Sequence, residues 1–294
     1  MDKSKTILIT GGAGFIGSHL CETLVSNGFK NVFSLDNYST GSQFNHIDGV
    51  NYIEGSTTSI KNLINFTPDY IFHLGEYSRV EQSFDDLNEV WTSNTLGTFQ
   101  VLKFALNSKS KLIYAGSSTK FADGGIGSSQ SPYGWTKATN TDLVKNFGDW
   151  FGLNYAVVYF YNAYGGRELS SGKYATLIGI YREAMKKGQS LKVVSPGRQL
   201  RNFTYVEDII TALLLVADKG NGDEFGIGHN EEWTVMEVAE LFGGKIEILP
   251  ERKGNRMSAI LVTDKTRSLG WRPSKRLPDY IETLRLNNWD SLID

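Results

Sequence analysis

The feature that most constrains this chain is a glycine-rich segment, Gly12-Ala13-Gly14-Phe15-Ile16-Gly17, set between the apolar run 6–10 and a stretch of helical spacing over 15–26. Glycines at these three places permit a tight strand-to-helix turn, let an anion approach the backbone, and let helix and strand pack closely. The unpaired N–H groups at the start of such a helix face a pyrophosphate. Asp36 closes the next predicted strand about 20 residues further on, where a carboxylate meets the hydroxyl pair of an adenosine ribose. A 2′-phosphate would meet a like charge there, so NAD is expected in preference to NADP. The bland alternative is that Asp36 only opens a turn with Asn37.

The rest of the first half follows from this start. Short β-branched runs predict strands over 6–10, 31–36, 51–54, 70–74, 111–116 and 154–161, with helices over 15–26, 89–106 and 133–151. Strands apolar along their whole length are buried on both faces, the habit of a parallel sheet between helix layers. Beyond Tyr164 the pattern loosens: a helix is expected over 172–188, a strand over 191–194, a helix ending near Val216, and a terminal helix over 278–288. The expected organisation is a dinucleotide-binding domain over 1–165, with a segment near 203–230 returning to it, and a smaller substrate lobe over 166–294.

A formal charge of −2 offers no basic excess for a grip on nucleic acid. The start of the chain has no apolar run long enough for a signal peptide or a membrane span, so no membrane partner is expected and the cytoplasm is the default. One cysteine, Cys21, and four scattered histidines leave no metal-ligand pattern, and no metal is expected.

A second motif carries chemistry. Tyr133 and Lys137 stand four apart on a predicted helix and share a face. A nearby ammonium favours the phenolate, which suits a tyrosine to general base work. Ser117, at the end of a central strand, is placed to hold a reacting hydroxyl. Taken alone, a Tyr-x-x-x-Lys spacing is more often a plain surface helix face.

Together with the glycine turn, these residues resemble the extended short-chain dehydrogenase/reductase family, and within it the nucleotide-sugar epimerases and dehydratases. The resemblance spans nearly the whole chain. It rests on Gly11 to Gly17, Leu35-Asp36-Asn37, His73-Leu74-Gly75, Asn94 to Thr98, Ser117, Tyr133 and Lys137, Tyr161 to Gly165, Arg201 to Asp208 and Leu269 to Pro273. It implies a Rossmann-type doubly wound sheet with a smaller α/β lobe, and NAD held by Gly11, Gly14, Phe15, Ile16, Gly17, Asp36, Asn37, Leu74, Gly75, Tyr133 and Lys137. It further implies that Tyr133 takes the proton of the sugar C4 hydroxyl, that Lys137 binds the nicotinamide ribose, and that Ser117 hydrogen-bonds the same oxygen. Glu76, Arg79, Ser117, Asn162, Arg201, Arg252 and Arg256 are the expected substrate contacts, Arg201 at the diphosphate with Arg252 and Arg256 competing for a second place there. His73 is read as structural.

Dehydratases of this group carry Asp-Glu directly after the catalytic Ser/Thr; this chain has Ser118-Thr119-Lys120, and lacks the glutamate of the related decarboxylases. The simplest remaining outcome is return of hydride to the opposite face of C4, an epimerisation of a UDP-hexose or UDP-N-acetylhexosamine. A dehydratase or 4-dehydrogenase using Glu76 or Glu81, and a non-catalytic NAD-sensing protein, are the alternatives. Glu76 to Glu81 replaces the small residues usual after the His73 motif, and either glutamate is read as a substitute acid or base or as a partner of an arginine. The resemblance also implies a homodimer, the helices over 89–106 and 133–151 meeting those of a second subunit in a four-helix bundle, and both carry apolar residues beyond what one sheet face needs, among them Trp91, Leu96, Phe99, Trp135, Leu143 and Trp150.

Overall fold

The computed structural model describes residues 1–251 and 257–290. The predicted β-branched runs become β1 (Thr6–Thr10), β2 (Asn31–Asp36), β3 (Val50–Glu54), β4 (Tyr70–His73), β5 (Lys111–Ala115) and β6 (Tyr155–Phe160). Two strand pairs join them to the remainder, β7 (Ala163–Tyr164) beside β10 (Thr204–Tyr205), and β9 (Leu200–Asn202) beside β12 (Glu232–Thr234); between them lies β8 (Leu191–Val194). A strand that the sequence pattern does not announce, β11 (Gly222–Ile227), completes a seven-stranded sheet of order β11-β6-β5-β4-β1-β2-β3. Every pairing in that sheet is parallel. Polar Asp223 and Glu224, with a register shift between Gly222 and Phe225, break the apolar run that would have marked this edge strand.

Burial on both faces fixes where the helices lie. On one side Ile7 and Ile9 pack with α1 (Phe15–Ser26) and with the later helix 206–219; on the other, Leu8 packs with Val101, Leu102, Val144 and Phe147. The last four residues belong to α2 and α3. Helix α2 begins at Leu87–Val90, passes through a π-helical stretch, Trp91–Gly97, and ends as Thr98–Ser108; α3 is Pro132–Phe151. The sequence sets the ends of α3: Ser131 Oγ accepts from the Gly134 N–H at 3.0 Å, Pro132 takes the first turn where no N–H is needed, and left-handed Gly152 stops the helix.

After β6 the chain builds a second core from Ile178, Tyr181, Val238, Phe242, Tyr280 and Ile281. These lie on α4 (Leu177–Lys186), α6 (Val235–Phe242) and α8 (Leu277–Leu286), beside β8 and its parallel partner β13 (Ile246–Leu249); α5 (Val206–Lys219) returns to the large sheet and α7 is Asp264–Ser268. Helix α4 starts at 177 rather than 172 because Thr176 Oγ1 accepts from Gly179 N–H at 3.1 Å and caps it there. No helix among the described residues is long and apolar enough to cross a membrane.

Since β1 lies between β2 and β4, the chain leaves it in opposite directions along the sheet. A crevice opens outside the carboxyl ends of the strands at such a switch point.

Candidate active site

The crevice is a cavity of about 860 Å³. On its sheet side the glycine turn is held to close tolerance: a Cβ on Gly17 would stand 2.0 Å from the Gly11 carbonyl oxygen, and one on Gly11 2.9 Å from the Gly75 backbone. Gly14 is the N-cap of α1 and supplies no side-chain acceptor, and no acidic residue stands in the first turn. The N–H groups of that turn therefore remain available to an anion, and the turn fits a dinucleotide pyrophosphate.

Asp36 reaches the same cavity at 7% exposure. One carboxylate oxygen accepts from Ala13 N–H at 2.9 Å and the other from Tyr38 N–H at 2.8 Å. It thus both opens the turn after β2 and braces the glycine loop, while burial raises its pKa above the usual carboxylate value. Gly11, Gly14, Phe15, Ile16, Gly17, Asn37, Leu74 and Gly75 line the cavity with it.

Tyr133 and Lys137 enter from α3, one turn apart. The Tyr133 hydroxyl donates to Ser117 Oγ at 3.2 Å, and Thr119 Oγ1 donates to the same oxygen at 2.9 Å. With its lone pairs taken, Ser117 has its own proton left to give. Ser117 is 8% exposed and is not itself on the cavity lining; it meets the cavity through Tyr133.

Lys137 is buried, and its ammonium donates to the Ala115 carbonyl and to Glu76 Oε2 while lying 4.7 Å from the Tyr114 ring centre. Glu76 thus pairs with a lysine 61 residues away rather than with an arginine. Its other oxygen accepts from Thr98 Oγ1 at 2.5 Å, Asn140 Nδ2 at 3.0 Å and the Tyr114 hydroxyl at 3.3 Å.

His73 joins this network and its tautomer follows from the donors. Thr98 spends its only proton on Glu76, so His73 Nε2 must donate to Thr98 across 2.9 Å. Thr10 Oγ1 then donates to His73 Nδ1 at 2.7 Å and accepts from Gly75 N–H at 3.0 Å. Full burial pushes the His73 pKa down to about 4, which keeps the ring neutral. The chain runs one way, from Gly75 through Thr10, His73 and Thr98 to Glu76.

Arg79 lines the cavity and ties it to Tyr174: Nε donates to the Tyr174 carbonyl at 2.9 Å and Nη2 to the same oxygen. Burial lowers its pKa, with the Tyr133 phenol the foremost opposing group. Asn162 and Arg201 also line the cavity; Asn162 Nδ2 donates to the Asn202 carbonyl at 2.9 Å, and Arg201 Nη1 to Leu200. Arg252 and Arg256 lie outside the described residues. Glu81 is exposed and off the lining.

The segment after Ser117 turns away. Lys120 Nζ donates to Asp223 Oδ2 at 2.9 Å and to the Tyr159 hydroxyl at 3.3 Å, and Ser118, Thr119 and Lys120 are absent from the lining. His19 ties α1 to the Gly166 carbonyl across 2.8 Å, and Cys21 is a buried thiol whose pKa burial raises to about 12. Among the described residues no cluster of three His, Cys, Asp or Glu could hold a metal ion.

The sequence pattern did not supply Glu76's partner, or the roles of Thr98, Asn140 and Tyr174. Only the presence of an ionisable residue beside His73-Leu74-Gly75 gave a signal.

A model of the NAD dependent epimerase/dehydratase family matches residues 7–228. A putative UDP-glucose 4-epimerase of Methanocaldococcus jannaschii is 29% identical over 96% of this chain and 97% of its own. A UDP-N-acetyl-alpha-D-glucosaminuronate decarboxylase of Bacillus cytotoxicus is 34% identical over 80% of this chain and 78% of its own. Among solved structures, the UDP-glucose 4-epimerase of Thermotoga maritima with UDP-glucose superposes with a TM-score of 0.85 at 28% identity, covering 96% of this chain and 99% of that one.

Proposed function

The chain belongs to the NAD dependent epimerase/dehydratase family, and from that premise we propose that it is a nucleotide-sugar 4-epimerase acting on a UDP-hexose or UDP-N-acetylhexosamine through a 4-keto intermediate. One observation carries the reading: Tyr133, bonded to Ser117, and Lys137 meet the cavity of the glycine turn, while residues 118–120, where dehydratases carry their acid and base, are off its lining and Lys120 is turned towards Asp223.

NAD, when bound, would supply the acceptor and then the donor of the C4 hydride. The glycine turn and the first turn of α1 would hold its pyrophosphate, and Asp36 its adenosine ribose. Tyr133 would take the C4 hydroxyl proton and give it back after the hydride has returned to the other face. Ser117 would hold that oxygen through its remaining proton, and Lys137 would position the nicotinamide ribose. Arg201 and Asn162, which line the same cavity, suit the diphosphate and the sugar, guanidinium forks matching phosphate oxygens. Glu76 serves poorly as a substitute acid or base, since Lys137, Thr98, Asn140 and Tyr114 all occupy its carboxylate.

The test is a panel of UDP-, dTDP-, GDP- and CDP-sugars read by mass. A product of unchanged mass that separates from its substrate supports epimerisation. Loss of water or of carbon dioxide sinks it.

The same reading includes a homodimer in the cytoplasm. Leu87, Trp91 and Leu96 on α2 and Trp135, Trp150 and Phe151 on α3 are exposed together, with Trp91 and Trp135 stacked at 5.9 Å. An apolar face of this kind suits burial against a second copy. A monomer mass by light scattering would remove this assignment.

A further inference from the structure

Glu76 is a buried carboxylate whose two oxygens both serve other side chains, and the group it serves most directly is the Lys137 ammonium. Both side chains are almost wholly withdrawn from water, at 5% exposure for Lys137 and 3% for Glu76. A lone ammonium would be costly at such a depth, and the carboxylate compensates it. The pairing also fixes direction. Two of the three Lys137 protons go to Glu76 and the Ala115 carbonyl, so the third has one course left.

The carboxylate is itself fixed from behind. Thr98, Asn140 and Tyr114 bind one oxygen, and the one-way chain through His73 and Thr10 reaches the Gly75 backbone on the cavity wall. Its geometry is therefore set by β1, β4, β5, α2 and α3 together.

We infer that Glu76 is a positioning residue that fixes the Lys137 ammonium, cancels its charge, and so biases the cofactor site towards oxidised over reduced nicotinamide. This rests on the reading that NAD lies beside Tyr133 and Lys137. The carbon whose hydroxyl Tyr133 deprotonates must give its hydride to the ring, so the ring lies within van der Waals reach of that carbon and near both side chains. The oxidised ring carries a positive charge and the reduced ring none, while the rest of the cofactor is the same. The ratio of the two affinities consequently reads the electrostatic potential at the ring. An unpaired Lys137 would lower the affinity for the cationic form, and Glu76 removes that penalty. Arg79, Glu89, Lys192 and Arg201 also line the cavity, His73 is neutral, and Asp36 lines it too, assigned to the adenosine ribose. None of these changes when only Glu76 is varied.

The test measures dissociation constants for NAD and for NADH by calorimetry, on the wild type, Glu76→Gln, Lys137→Met and the double variant. Glu76→Gln should shift the NAD/NADH affinity ratio towards NADH by about tenfold, the effect of one unpaired charge at moderate distance in a partly solvated site. Lys137→Met should shift it the other way, because it leaves the carboxylate uncompensated. The double variant, neutral again, should fall near wild type, which no account based on folding alone produces. A ratio unchanged in Glu76→Gln, with both affinities moving together, overturns the inference and leaves a purely structural ion pair. If Glu76→Gln does not fold, an unchanged ratio in Lys137→Met overturns it equally. Tight binding of both forms with a constant ratio tells against this inference alone, whereas binding of neither form to the wild type overturns the cofactor reading on which it rests.

Discussion

Gly17 and Gly14 belong to one turn but should fail in different ways when a methyl group is added. At Gly17 the new Cβ would lie 2.0 Å from the Gly11 carbonyl oxygen, 2.8 Å from its carbon and 2.8 Å from Gly12 Cα. All three are backbone atoms. Gly11 cannot retreat, because its N–H donates to the Leu35 carbonyl at 2.9 Å and its own α-carbon lies close to Gly75. Relief requires a shift of more than about 1 Å in a turn held at both ends, an overpacking cost of about 2–3 kcal/mol. At Gly14 the only atom met is the Gly11 oxygen, at 3.3 Å, and φ is −82°, so an alanine there should cost under about 1 kcal/mol. Its methyl would instead occupy the mouth of the anion cradle. Urea unfolding without cofactor and calorimetry with NAD separate the two. Gly17→Ala should lose stability and NAD affinity together; Gly14→Ala should keep its unfolding midpoint and lose at least about tenfold in affinity. Equal unfolding midpoints for wild type and Gly17→Ala would refute the tight turn, and full NAD affinity in Gly14→Ala would refute its use as the pyrophosphate site.

Asp36→Ser should narrow the preference for NAD over NADP at least about tenfold, as read by competition binding, and an unchanged preference would separate Asp36 from the ribose. Tyr133→Phe should lower turnover at least about a hundredfold while NAD affinity stays within about threefold, measured by product mass and calorimetry; near-normal turnover would mean another base. Burial raises the Glu168 pKa from 4.5 to about 7, so the stability it contributes is complete below about pH 4.5 and is lost as pH rises through about 7. Glu168→Gln, which mimics the protonated acid, should flatten that decline, worth about 3 kcal/mol at most, in urea midpoints taken from pH 4.5 to 7.5.

How much of this was legible beforehand follows from the range of the forces involved. The strands β1 to β6 could be read from short apolar and β-branched runs, those of β1, β4, β5 and β6 being buried along nearly their whole length, and the Tyr133–Lys137 spacing because a helix puts residues four apart on one face. The β11 strand could not, since an edge strand tolerates Asp223 and Glu224. Helix α4 was read five residues too early at its start because the capping role of Thr176 depends on its local backbone geometry. The partner of Glu76 could not be read at all: an ion pair between residues 76 and 137 depends on how β4 meets α3, and its presence leaves no periodic trace.

The Lys120 anchor bears on how such a chain could acquire a new reaction. In an ancestor or a laboratory lineage, placing an acid and a base at 118 and 119 would not by itself deliver a proton to the sugar, because they stand off the cavity lining beside Lys120, which is moored to β11 through Asp223 and to β6 through Tyr159. The mooring would have to be released as well, and that step takes the Lys120 ammonium away from the Asp223 carboxylate. Change of chemistry at this position thus takes two changes rather than one, and the present outcome is held in place by this anchor as much as by the residues that meet the substrate.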